Sequence, residues 1–554
     1  WPGLQEAYEK QKVDNWLEEY KNRKLFGKAL RQKVATLSRR FHKKDEISNA
    51  ELSDFGTMME EHVHGYSYMV NELLNLSFDE DQCSNLTVKY YTEKVIRYVR
   101  QLHLKQEWRD FLALDLEDQL LEKGAVLVAQ WCQPMVDVNY KDIAAQLDEI
   151  AHKVRTQLYL DHFRHPLFTV PEEVLSIWRN KNIDDNQWRP TDSQQVLASI
   201  CKVVFEEMGF HGNNEMYYSA EHSLINKVLE YRRGIPITLS IVFESVARRL
   251  GVKCEPVSFP AHFLLRWRER YNTETGDLSP YYYIDVYNGG QFLTKRSCPR
   301  YSPESQCPMR GKSISPATPV QVIERMAHNL EVAGRQRTQM NGRGARLRSA
   351  LELLNLVNPS DINCILHLAR FYMLYGMDLS DLTSTISKLQ NDFEPRARDQ
   401  ARHIMQMLQV YETHHFNNAS TDIPKIEPKY RTDNDVTYAV GMIMRHRQYN
   451  YRCVIYGWDP LCAASQEWIR QMGVDNLPMK SHQPFYNVLV EDGSTRYAAQ
   501  ENLEVATEAV WINHLEVGRY FDKFCTTYYV PNSEKEEEYP QDAEVRQKFQ
   551  EFAL

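Results

Sequence analysis

The stretch from Tyr231 to Gly290 constrains this chain more than any other, because it prescribes one helix and then two strands that each bring an ionisable residue. Pro236 marks the helix start: a proline is favoured in a first turn, where its missing N–H would have no intrahelical partner and its φ is already helical. Ile237, Ile241, Val242, Ser245, Val246 and Leu250 recur at the spacing of one buried face, and Gly251 supplies a left-handed cap. The pattern predicts a core helix over 236–250. Val252–Val257, Phe263–Trp267 and Tyr281–Val286 read as strands by alternation and by their β-branched and aromatic content. His262 stands at the head of the second strand and Asp285 lies in the third.

Helix, histidine strand and aspartate strand, in that order, resemble the transglutaminase-like superfamily, specifically its Sir-B-type branch. The resemblance covers roughly Leu114 to Leu330 and includes the helical lead-in, with Leu116, Leu120, Leu121 and Ala125 on one helix and Ile143, Leu147, Ile150 and Val154 on another. It implies a catalytic cysteine in the helix's first turn, where the dipole favours the thiolate. A histidine base and an aspartate that holds its tautomer complete the triad. His262 takes the base position and Asp285 the orienting one. The nucleophile position falls at Pro236 and Ile237, and the first turn reads Pro236-Ile237-Thr238-Leu239, without a thiol.

Three substitutes for the nucleophile are conceivable. Thr238 or Ser240 is an alcohol that needs His262 within hydrogen-bond reach. Cys254 lies past the helix, where no dipole activates it. The alternative is that His262 and Asp285 are a vestigial buried pair, no catalytic residue is expected, and the chain is not an enzyme.

The chain has 554 residues, enough for several domains, with 43% hydrophobic and 25% charged content typical of globular protein. No stretch approaches the length needed to cross a bilayer. Its cysteines form no Cys-x-x-Cys pair and no zinc-spaced cluster, so neither metal nor cofactor is expected; scattered thiols point to a reducing compartment, cytoplasmic or nuclear. Cys201 is assigned to the core, while Cys298 and Cys307 flank a Pro-rich loop and are close enough in sequence to meet. Residue 1 is Trp rather than Met, which suggests that a segment precedes it.

The expected architecture is α+β and multidomain: N-terminal helices (1–113), the transglutaminase-like core (114–330), a tetratricopeptide-like helical appendage (331–416), a linker (417–428), a small antiparallel β-barrel (429–505) and an extension with an acidic tail (506–554). Lys21 to Lys44 carries ten basic residues (Lys21, Arg23, Lys24, Lys28, Arg31, Lys33, Arg39, Arg40, Lys43, Lys44) and no acidic one, a stripe that suits nucleic acid, acidic lipid, an acidic protein surface or plain solvent. The glutamates after Asn532 read as solvated or weakly helical.

In the barrel region, Asp492-Gly493 is a hairpin signal. The words Val440-Gly441, Arg445-His446-Arg447, Gly457-Trp458-Asp459-Pro460, Trp468-Ile469-Arg470, Gln483-Pro484-Phe485-Tyr486 and Tyr497-Ala498-Ala499-Gln500 resemble the YccV-like family, named for hemimethylated-DNA binding and for heat-shock protein Q. That family implies DNA binding or adaptor work in proteolysis. Between Lys429 and Leu503 eight basic residues face eight acidic ones, a net charge of zero, whereas a duplex binder needs uncompensated cations. Arg445 and Arg447 remain as a local patch. Trp458, Trp468, Phe485 and Tyr486 are either core or an exposed aromatic groove for a peptide.

A Sir-B-type core followed by a YccV-like barrel resembles the F-box proteins of that architecture. The resemblance implies a substrate-recognition subunit of a ubiquitin ligase. An upstream F-box, not visible in this chain, would dock a Skp adaptor and cullin, and the present residues would face substrate proteins.

Overall fold

The computed structural model describes residues 16–78, 85–213, 217–259, 262–271, 280–293, 315–336, 342–389, 395–416, 424–431, 435–506, 508 and 510–553. Trp1, Pro260, Ala261, Cys298, Cys307 and residues 417–423 of the expected linker lie outside them.

The N-terminal helices begin with α1 (Trp16–Ala35) and lead to the long α2 (Leu86–Ala113). In the core, α3 (Leu121–Cys132) and α4 (Tyr140–Asp161) pack on α5 (Pro236–Arg249). Pro236 occupies the first turn of α5, and Gly251 follows the helix at φ +77°, where a Cβ would also meet the Trp178 ring at 2.9 Å. Every residue of α5 is buried, not only the predicted face. Part of the cost of that burial is offset where its charged and polar side chains find partners. Ser245 Oγ donates to Glu122 at 2.7 Å, Arg249 Nη1 donates to Glu122 at 2.9 Å, and Arg249 Nε donates to Asp148 at 2.7 Å.

Four strands cover α5 as an antiparallel meander: β1 (Glu255–Phe259), β2 (His262–Arg268), β3 (Tyr281–Asp285) and β4 (Gln291–Leu293). Leu265 stands opposite Ile284, so the head of β2 lies beside the end of β3. Phe263, Leu265, Trp267 and Ile284 belong to the same hydrophobic core as α5.

Helix α6 (Pro319–Arg335) opens with a capping box, Thr318 with Gln321, and leads into the appendage. There α7 (Arg343–Val357) and α8 (Ile362–Leu374) form a pair around the turn Asn358–Asp361, followed by helices Ser380–Leu389 and Pro395–Phe416.

The C-terminal strands form a five-stranded antiparallel sheet. They are β5 (Ile443–His446), β6 (Arg452–Asp459), β7 (Phe485–Val490), β8 (Thr495–Ala499) and β9 (Leu503–Val505), in the order β8-β7-β6-β5-β9. A hairpin of β10 (Phe521–Cys525) and β11 (Tyr528–Pro531) joins through the Met442–Tyr528 bridge. β5 begins only at Ile443, because Gly441 turns the chain at φ +92°, where a Cβ would collide with the Tyr529 carbonyl oxygen.

Long-range pairing adds to two sequence readings. The acidic tail forms a short helix over Ser533–Glu538, in line with the helical alternative, but it is not simply solvated: Glu534 is buried and accepts from Ser38 Oγ at 2.6 Å, and Asp542, at the head of α9 (Asp542–Ala553), is buried in the C-terminal domain. Half of the basic stripe lies within reach of this chain's own carboxylates, on side chains that stay partly exposed. Arg39 pairs with Glu537, Arg31 with Glu72, Lys44 with Glu51, and Lys33 and Arg40 approach Asp54. A buried network of Glu46, Arg97, Arg348 and Glu352 ties the N-terminal helices to the appendage. No described helix is long and apolar enough to cross a membrane.

Candidate functional site

The head of β2 and the end of β3 bring the predicted pair together: His262 Nε2 stands 3.4 Å from Asp285 Oδ2, with Asp285 buried and His262 partly so. Asn288, three residues on in the turn after β3, donates its amide to the same Asp285 oxygen at 2.7 Å. Burial works against ionisation of Asp285, but the hydrogen bonds from His262 and Asn288 outweigh it and hold the carboxyl below its ordinary value. Asn288 was not singled out in the sequence; its spacing from Asp285 in a turn was the available signal.

Facing the question of a nucleophile, the first turn of α5 is buried at Pro236, Ile237, Thr238 and Leu239. The hydroxyls of Thr238 and Ser240 have no hydrogen-bond partner among the described residues, so His262 does not reach either as a base. Cys254 is buried, and burial drives its thiol well above the ordinary range. Cys201, packed against the core, lies 3.6 Å from the Gly290 carbonyl oxygen, and burial pushes its thiol up to about 12. A thiol held protonated in this way is a poor nucleophile.

A cleft of about 370 Å³ opens elsewhere on the domain, lined among others by Glu244, Cys254, Glu255 and Pro319 but by neither His262 nor Asp285. Glu244 Oε1 lies 3.6 Å from Arg248 Nε, while its second oxygen has no partner among the described residues.

The residues singled out in the C-terminal domain are distributed differently from a groove. Trp458, Phe485 and Tyr486 are buried, with Trp458 and Tyr486 in the main core and Phe485 in a satellite cluster that half-buried Trp468 covers. They therefore do not form an exposed aromatic platform. Arg445 Nε donates to Glu504 at 2.8 Å and Arg447 Nε lies 3.7 Å from the same carboxylate. Arg452 pairs with Glu491, Arg496 with Asp492, Lys429 with Asp459 and Arg431 with Asp542.

Residues 141–328 match the family described as the transglutaminase-like superfamily, and residues 436–528 match the one described as hemimethylated DNA-binding protein YccV like. Over nearly its whole length the chain is similar to F-box only protein 21 of Homo sapiens, at 35% identity across 98% of this chain and 84% of that protein. The protein of the same name from Mus musculus gives the same identity and the same two shares. A UPF0162 protein of Xylella fastidiosa is 30% identical over 34% of this chain and 52% of its own length. No solved structure matches.

Proposed function

The chain belongs to the F-box only protein 21 family, and from that premise we propose that it is the substrate-facing part of a Skp–cullin–F-box type ubiquitin ligase. In this reading the transglutaminase-like core and the YccV-like domain hold target proteins and perform no acyl transfer. What supports it is the surroundings of the pair His262–Asp285: a base and its orienter are present, while the first turn of α5 offers proline and isoleucine where the superfamily's thiolate would stand. The free thiols at Cys201 and Cys254 are held protonated by burial, which supports the same conclusion. Pairing of the YccV-like domain's cations with its own carboxylates supports protein binding over duplex binding.

The test is capture on this chain of proteins that accumulate when the proteasome is blocked, followed by reconstituted ubiquitination of each captured protein with the chain joined to an F-box. Ubiquitination that depends on the chain is the expected result. Stoichiometric labelling by an acyl electrophile that disappears in His262→Ala overturns the non-catalytic reading.

A further inference from the structure

Outside the transglutaminase-like pair, the seam between α6 and α8 gathers chemistry that no part of the proposed function uses. His328 and Glu331 lie one turn apart on α6, and Asp361, Cys364 and His367 follow at three-residue intervals from the N-cap of α8. Three-residue steps place side chains on one helix face. A ring nitrogen of His328, a carboxylate oxygen of Asp361 and Sγ of Cys364 all lie within 4.8 Å of one another. Cys364 Sγ is 3.1 Å from Asp361 Oδ2, and Cys364 is buried.

Around these three stands an outer arrangement of the kind that orients metal-binding imidazoles. Glu331 Oε2 is 3.6 Å from His328 Nδ1, and Glu331 Oε1 is 3.3 Å from His367 Nδ1. Glu331 is itself held by Arg335 Nη2 at 2.6 Å. A carboxylate on one ring nitrogen fixes the ring and leaves the other nitrogen for a cation.

The geometry points to a divalent transition-metal site formed by His328, Asp361 and Cys364, which pins the helical appendage to the end of the transglutaminase-like core. Imidazole, carboxylate and thiolate together select a borderline-soft ion such as Zn²⁺ over Mg²⁺ or Ca²⁺. On binding, the cation replaces the proton that the thiol shares with Asp361, and that proton leaves to solvent. The isolated sequence hides the site because its ligands come from two helices with no Cys-x-x-Cys or His-x-x-x-His spacing.

The test uses the full chain stripped with a chelator and titrated with Co²⁺, whose bond to a thiolate gives a charge-transfer absorption. The expected result is one equivalent bound, displaced by Zn²⁺, with the band lost in Cys364→Ser and retained in Cys132→Ser. Asp361→Asn keeps the helix cap, since asparagine caps as well as aspartate, and it diminishes the band, as does His328→Gln. Glu331→Gln weakens binding about 10- to 100-fold. Absence of a charge-transfer band overturns the site. So does a band that keeps its full intensity in Asp361→Asn and His328→Gln, a result that decides the matter even where Cys364→Ser does not fold.

Discussion

The indole Nε1 of Trp458 donates to Asp542 Oδ2 at 3.1 Å, so a strand of the YccV-like domain is closed by the last helix of the chain. The same carboxylate accepts from the Val440 amide at 2.7 Å and from Arg431 Nε at 2.9 Å. Asp542→Ala leaves the Val440 amide and the Trp458 indole buried without their acceptor and takes from Arg431 its carboxylate. The expected cost is about 3–5 kcal/mol, the range for breaking a buried pair by removing one partner. Denaturant unfolding followed by tryptophan fluorescence measures it.

Arg348 should behave in the same way at a different junction. It is fully buried, donates to Glu46 Oε2 at 2.7 Å and to Glu352 Oε1 at 2.9 Å, and so joins the N-terminal helices to the appendage. Arg348→Ala takes the cation from buried Glu352, which keeps only the Tyr372 hydroxyl, and leaves Glu46 to Arg97 and Lys94; it is predicted to cost about 3 kcal/mol, the low end of the range for breaking a buried pair. Faster proteolysis near the N-terminal helices is the expected companion. A replacement of Glu46, Arg97, Arg348 and Glu352 together by apolar residues of similar volume should recover much of the loss.

Glu244 predicts a pH dependence. Burial lifts its carboxyl from 4.5 to about 7, with Arg248 opposing the shift and Glu122 adding to it. A group whose folded value is raised stabilises the fold fully below its ordinary value, and that contribution is lost as pH rises through about 7. Relative to the wild type, Glu244→Gln should therefore gain stability between pH 5 and 8, by up to about 3 kcal/mol at the usual conversion. Thermal unfolding of both proteins across that range gives the answer; parallel curves contradict the prediction.

For duplex DNA, the expectation is weak binding that does not respond to Arg445→Ala or Arg447→Ala, because both guanidiniums already face Glu504. A salt titration with a short duplex checks this. A steep log–log slope that flattens in the double variant would revive DNA as the ligand.

Much of the candidate site was legible in the sequence. The first-turn proline of α5, the cap at Gly251, and the histidine and aspartate strands all appear in the structure where local pattern placed them, since capping and alternation are set within a few residues. The side chains that finish the site were less accessible. Asn288 reached Asp285 through a turn whose geometry no periodicity encodes.

Charge was the property most altered by folding. The stripe from Lys21 to Lys44 was open to any anionic partner as a sequence, yet Arg39 meets Glu537 in the tail, and Ser38 meets Glu534 beside it. Of the two readings open for Trp458, core or exposed groove, the structure has the core one, with Asp542 reaching the ring from the tail. Sequence alone determined the order of helices and strands and the Pro236-Ile237 opening of α5, because these follow from residue type and near-neighbour backbone preference. Only the tertiary structure decided which charges remain free and which aromatics face water, because both depend on surfaces brought together from opposite ends of the chain.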